Sequence, residues 1–152
     1  MFTIKRPSTL EEFKAYYALR YKVLQEPWGH PKGTEKDDYE PISDHFMAVD
    51  EHGTVVGGVK VYKRDECVGH ITHLAVAPEY QRKGVGRLLL EAVEQYAREH
   101  GFCKLGTMAR VTATVYFEKF GFHIAGMSTP HLGITHVVWM EKDLDEQATT
   151  GR

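Results

Sequence analysis

The stretch His70-Ile-Thr-His-Leu-Ala-Val-Ala-Pro-Glu-Tyr-Gln-Arg-Lys-Gly-Val-Gly-Arg87 decides the reading of this chain. It opens as an apolar strand, breaks at Pro78, and passes through Gln81-x-x-Gly84-x-Gly86 into a long helix. Two glycines at a helix start let backbone N–H groups crowd around an anion, and the helix dipole adds about half a positive charge there. Arg82, Lys83 and Arg87 surround the same point. A phosphate or pyrophosphate seat over residues 81–87 is therefore expected, although a tight strand-to-helix connection with solvated basic side chains would use the same spacing. A Rossmann site is a poor match, because G-x-G-x-x-G and a following acidic ribose ligand are both missing. The absence of Gly-Lys-Ser/Thr excludes a P-loop.

The helix that follows is expected over residues 84–100. Val85, Leu88, Leu89, Ala92, Val93, Tyr96 and Ala97 line one face, Glu91, Glu94, Arg98 and Glu99 the other, and Gly101 supplies the stop. Upstream, Phe2 to Lys5 read as a short strand. Ser8 and Thr9, followed by Glu11 and Glu12, offer two overlapping capping boxes for an amphipathic helix running to about residue 24. Residues 26–41 hold three prolines, two glycines and several acids, and read as a loop. His45–Val49 and Thr54–Tyr62, joined by Asp50-Glu-His-Gly53, predict a hairpin. Downstream, the pattern predicts strands over Phe102–Met108, Phe122–Met127 and His136–Glu141, a short helix over about Ala113–Phe120, and a frayed tail. The long helix joins two strands that a crossover would make parallel, so the chain reads as one α/β domain over 1–145 with a tail of 146–152.

Composition agrees with an ordinary globular chain: 152 residues, 42% hydrophobic and 26% charged, with a formal net charge of −2. That balance argues against binding nucleic acid along a phosphate backbone. No apolar run reaches the roughly 18 residues of a membrane helix. The start reads as a strand rather than a signal peptide. Cys67 and Cys103 lie far apart and form no C-x-x-C pair, so reduced thiols and a cytoplasmic location are the simplest expectation.

Leu74-Ala-Val-Ala-Pro-Glu-Tyr-Gln-Arg-Lys-Gly-Val-Gly-Arg-Leu-Leu89 resembles the acetyl-CoA motif of the GCN5-related N-acetyltransferase (GNAT) family, with its Gln/Arg-x-x-Gly-x-Gly/Ala turn. Tyr116-Phe-Glu-Lys-Phe-Gly-Phe122 is similar to the Tyr-Glu-Lys-x-Gly-Phe helix end of the same family. The order of elements fits over nearly the whole chain. The resemblance implies a mixed, largely antiparallel central sheet flanked by helices, acetyl-CoA as cosubstrate and no metal. It also implies direct transfer of acetyl to a primary amine of a small molecule or exposed peptide, and a homodimer through the C-terminal strands. On this resemblance the backbone of Leu74, Ala75 and Val76 would pair with the pantetheine arm like an added strand. An N–H of that segment would polarise the thioester carbonyl. Gln81, Arg82, Lys83, Gly84, Val85, Gly86 and Arg87 would hold the pyrophosphate, and the short helix with Phe117 would flank the thiol end.

An aliphatic amine is almost wholly protonated at neutral pH, so a base must take its proton and the leaving thiolate must gain one. His70 falls where histone-acetylating relatives carry a catalytic glutamate, and a histidine suits the task. A hydrogen-bonded strand residue is the other reading of His70, and His73 is a second candidate base. Strand alternation points His73 the opposite way unless a bulge intervenes. A zinc pair from His70 and His73 is not expected, since i and i+3 diverge on a strand. For the acid, the family tyrosine aligns with Phe117, and the tyrosine here stands one residue early, at Tyr116. Tyr116 is thus a donor or a packing residue. Arg110 stands where many relatives have asparagine.

The family uses the segment after the first helix to shape the acceptor pocket. Here it holds Trp28, His30, Glu35, Asp37, Asp38 and Glu40, whose acids would draw in a cationic amine or form a solvated acidic loop. His131 and His136 in the C-terminal strands are further candidates for the cleft, with a surface or core role as the other reading. Two other readings stand beside a small-molecule acetyltransferase: a non-catalytic acyl-CoA binding or sensing domain, and an enzyme acetylating peptide N-termini or lysines.

Overall fold

A computed structural model describes residues 1–126, 129–131 and 135–144. Contacts divide the chain into two compact units, Met1–Tyr62 with His73–Gln95, and Lys63–Thr72 with the described residues from Tyr96 onward.

In the first unit, β1 (Thr3–Lys5) pairs antiparallel with β2 (Asp44–Val49), and β2 with β3 (Val55–Lys63). The expected hairpin forms. Asp50 Oδ1 accepts from the N–H groups of His52 and Thr54 at 2.9 Å each, while Gly53 takes a φ of 81°. Helix α1 (Leu10–Arg20) starts at Thr9, whose Oγ1 accepts from Glu12 N–H at 3.1 Å. Glu12 Oε1 answers by accepting from Thr9 N–H at 3.3 Å, so Thr9 and not Ser8 closes the capping box. Regular α geometry ends at Arg20 rather than near residue 24. A wide turn, Tyr21–Gln25, carries the helix on, and a tight turn, Glu26–Trp28, closes it, because Pro27 has no N–H with which to continue the ladder.

Strand β4 (Val68–Val76) passes from the second unit into the first, as α2 (Val85–Glu99) passes from the first into the second. The core of the first unit gathers Tyr16 and Leu19 from α1, Phe46 and Met47 from β2, Val56, Val59 and Val61 from β3, and Val85, Leu89 and Val93 from α2. Two adjacent glycines in β3 make this packing fit. A Cβ on Gly57 would lie 2.9 Å from Val85, and one on Gly58 would lie 2.8 Å from the Tyr16 ring. Successive strand residues face opposite sides, so Gly57 admits α2 and Gly58 admits α1.

In the second unit, Val68–His70 of β4 pair in parallel with β5 (Lys104–Arg110), as a helical crossover requires. β5 pairs antiparallel with β8 (Thr135–Asp143), which also carries β6 (His123–Ile124) and β7 (Thr129–His131). Helix α3 (Thr114–Glu118) is shorter than expected at both ends: a tight turn over Val111–Ala113 takes Ala113, and Lys119 and Phe120 pass into the turn that Gly121 closes with a φ of 91°. Leu105, Phe117, Phe122, Val138 and Met140 form this unit's core. The fold is thus the mixed, largely antiparallel α/β arrangement the sequence implies.

Cys67 and Cys103 correct the expectation of two separate reduced thiols. They stand just ahead of β4 and β5, and the parallel pairing of those strands brings their Cα atoms to 5.1 Å, where they form a disulfide. Their spacing therefore no longer argues for a reducing compartment. The expected strand end at Met127 and the tail at 146–152 lie outside the described residues.

Candidate functional site

The glycine turn is built from the end of β4 outward. Ala77 N–H donates to Val56 O at 2.9 Å, a tight turn over Pro78–Tyr80 reverses the chain, and Gln81 Nε2 reaches back to Val76 O at 3.1 Å. Tyr80 Oη donates to Asp50 Oδ2 at 3.3 Å and ties the turn to the hairpin. Arg82 and Gly84 then take left-handed φ values of 65° and 86° before α2 begins. A left-handed arginine is costly, and such strain is characteristic of sites where backbone groups are aimed at a ligand. A Cβ on Gly84 would meet only the Arg87 side chain, at 3.9 Å, so the space before the turn is open. The first turn of α2 carries no acid, and its leading N–H groups have no helical partner. Arg82, Lys83 and Arg87 are exposed. Open space and exposed basic side chains therefore meet at the helix start where the sequence leads one to expect an anion.

Among the described residues, the ladder between β4 and β5 comprises Val68–His70. Leu74–Val76 lie beyond it. That stretch follows His73, which takes a left-handed φ of 57° within β4, a local departure from regular strand geometry.

The two histidines have different settings. His70 belongs to the second unit, opposite Gly106 in the β4–β5 register, with its ring 5.1 Å from Trp139 in an edge-to-face contact. Trp139 is itself fixed, donating from Nε1 to Glu141 at 2.7 Å beneath the Arg64 guanidinium. His73 belongs to the first unit, where burial, reinforced by the Arg20 and Lys60 cations, pushes its imidazole down to about 4. It is neutral at physiological pH.

In α3, Tyr116 is 40% exposed and its ring lies against Phe117 and Phe120. Its partial burial pushes the phenol up. Phe117 packs edge-on against Phe122 in the core, so the one-residue offset leaves the tyrosine outside and the phenylalanine inside.

The acids of residues 35–40 are not a solvated loop. Arg20 and Lys60, both fully buried, draw them inward. Arg20 donates to Glu40 through Nη1 and Nη2 at 3.0 and 2.8 Å, and to the backbone oxygen of Glu35. Lys60 Nζ pairs with Asp37 Oδ1 and lies 3.2 Å from Glu40 Oε2. Tyr17 Oη adds a 3.0 Å hydrogen bond to Glu40. Burial pushes the Glu40 carboxyl up, but these donors and the Asp37 N–H outweigh it and hold it well below the carboxylate range. Beneath the network, Tyr16 Oη lies 2.9 Å from His45 Nδ1. The charges of Asp37 and Glu40 are thus already matched, while Asp38 is exposed and Trp28 is 62% exposed. The side chains of His131 and His136 lie outside the described residues. Arg20 and Lys60 escaped notice in the sequence. The available signal was a cation inside each apolar pattern, Leu19-Arg20 and Val59-Lys60-Val61, facing an acid-rich segment.

Comparison with known proteins finds likenesses in sequence and in fold. The model of the Acetyltransferase (GNAT) family matches residues 10–122. A protein of Bacillus subtilis (strain 168), provisionally named an acetyltransferase, is 23% identical over 92% of this chain and 96% of its own length. A crystal structure from Lactobacillus plantarum, provisionally named an N-acetyltransferase, superposes with a TM-score of 0.85 at 22% identity, covering 94% of this chain and 98% of that one. An aminoglycoside 6'-N-acetyltransferase complexed with coenzyme A superposes at 0.78 and 14% identity, covering 94% and 96% of the two chains.

Proposed function

The chain belongs to the GNAT family of acetyltransferases and is an acyl-transfer enzyme, and from that premise we propose that it moves an acetyl group from acetyl-CoA to a primary amine. The observation that carries the cosubstrate is the turn at 81–87. Left-handed Arg82 and Gly84, open space before Gly84 and an acid-free helix start together suit a pyrophosphate. The neighbouring relative complexed with coenzyme A supports the same reading. Gln81, Arg82, Lys83, Gly84, Val85, Gly86 and Arg87 would hold the phosphates, and the backbone of Leu74, Ala75 and Val76 would take the pantetheine arm as an added strand.

The amine nitrogen attacks the thioester carbon, a C–N bond forms, and the C–S bond breaks. One proton leaves the amine and one reaches the thiolate sulfur. We assign His70 as the base and Tyr116 as the proton donor, with His73 as the other base candidate. An N–H of Leu74–Val76 polarises the carbonyl. Calorimetric titration with acetyl-CoA, followed by assay of released thiol against a panel of primary amines, tests this reading. Micromolar binding and amine-dependent thiol release are expected. A folded protein that binds no acetyl-CoA would sink it.

A further inference from the structure

A cavity of the first unit, of about 660 Å³, lies between α1 and the 26–36 segment, lined by no residue of the glycine turn. We propose that it is a binding site for a small aromatic carboxylate. Its volume is in the range of small-molecule sites. Its wall is aromatic and pre-set. Phe13 stacks on Tyr17 at 6.0 Å, Tyr17 Oη is held by Glu40, and Tyr21 Oη donates to His30 O at 2.9 Å. Tyr17 already carries Phe13 and Lys36 against its ring, so the wall offers pre-set aromatic contact at little ordering cost rather than a bare ring face.

The rim is cationic. Four lysines line the cavity against two acids, Glu26 and Glu35, and Glu35 already accepts from Gly33 N–H at 2.8 Å. Lys36 is placed 4.5 Å over the Tyr17 ring. Lys14, Lys22 and Lys32 form no ion pair among the described residues. An apolar ring wall with uncommitted ammonium groups at its mouth selects a ligand that is flat at one end and anionic at the other. The same rim repels a cationic amine, so the cavity is unsuited to the acetyl acceptor. The site is independent of the acetyl-transfer reading.

The test is a calorimetric comparison of 2-naphthoate with 2-naphthalenemethanol at pH 7.5 and low salt, with and without saturating acetyl-CoA. Naphthoate is expected to bind at least tenfold tighter than the alcohol, with acetyl-CoA leaving its affinity unchanged. The double variant Lys14→Glu/Lys22→Glu should weaken naphthoate at least tenfold, while Lys63→Glu, an exposed charge reversal at the end of β3, should not. Equal affinity for acid and alcohol, displacement by acetyl-CoA, indifference to the double variant, or no binding at millimolar naphthoate would each overturn the assignment. The wild-type comparison decides it even if the double variant fails to fold.

Discussion

Arg20 and Glu40 meet through two parallel hydrogen bonds, Nη1 to Oε1 at 3.0 Å and Nη2 to Oε2 at 2.8 Å, and Lys60 stands 3.2 Å from the same carboxylate. Removing the carboxylate would leave two buried cations without their shared partner. Glu40→Ala should therefore destabilise the protein by about 3–5 kcal/mol, read from urea unfolding. The exposed Asp38→Ala should change stability by no more than about 0.5 kcal/mol. Equal effects at the two positions would reduce the network to a surface contact.

The same network sets a pH dependence. His73 is pushed down to about 4 in the folded chain, and burial pushes His45 down as well. Between about pH 6.5 and 4 the unfolded chain binds protons that the folded chain refuses, so stability is full above this window and falls on acidification. His73 alone accounts for a loss on the order of 3 kcal/mol across it. Below it, protonation of Glu40 adds to the fall. Melting temperatures taken from pH 7.5 to 4 should drop, and His73→Gln should flatten the upper part of the curve. A flat wild-type profile would remove the buried, neutral His73.

Gly84 separates backbone conformation from space. With φ at 86°, Gly84→Ala should cost about 1–2 kcal/mol in stability. It should nevertheless keep acetyl-CoA binding, because the new methyl meets only Arg87 at 3.9 Å. Gly84→Asp with Gly86→Asp brings two negative charges to the anion seat and should abolish binding in a protein that still folds. Calorimetry with melting curves on the three proteins distinguishes these outcomes. Retained affinity in the double variant moves the phosphates elsewhere.

Cys67 and Cys103 close a 36-residue separation. On the chain-entropy account, reducing that bridge should lower stability by about 4 kcal/mol. The unfolded, unreduced protein should show no titratable thiol, and Cys67→Ser should show one. Two free thiols in protein prepared without reductant would contradict the pairing.

The assignment of the base rests on rates. His70→Ala should slow acetyl transfer most at low pH, where unassisted amine is scarcest, with the KM for acetyl-CoA little changed. If His73 is the base instead, His73→Ala produces that pattern and His70→Ala does not. Tyr116→Phe should lower turnover through the thiolate's proton. Unaltered turnover returns Tyr116 to packing.

Much of this fold was legible because its signals are local. The Thr9–Glu12 cap, the Asp50–Gly53 hairpin and the glycine turn are all written within a few residues, and each formed where expected. What escaped reading depends on distant partners. The acids at 35–40 look solvated until Arg20 and Lys60 are placed beside them. Cys67 and Cys103 look separate until β4 and β5 pair. Tyr116 and Phe117 could be told apart only by the rotation of a five-residue helix, which sequence spacing does not set.

The back-to-back glycines of β3 have a consequence for how the first unit tolerates change. At Gly57 and Gly58 the strand between α1 and α2 is bare backbone, and the side chains of Val85 and Leu89 on one side and the Tyr16 ring on the other close directly onto it. A methyl added at either position must push back a packed side chain of the facing helix, Val85 at Gly57 and the Tyr16 ring at Gly58. A larger residue at Gly58 is therefore best tolerated beside a smaller one at Tyr16, whereas growth at Gly57 also meets Leu89 and the Ala75 backbone oxygen, which a smaller Val85 does not relieve.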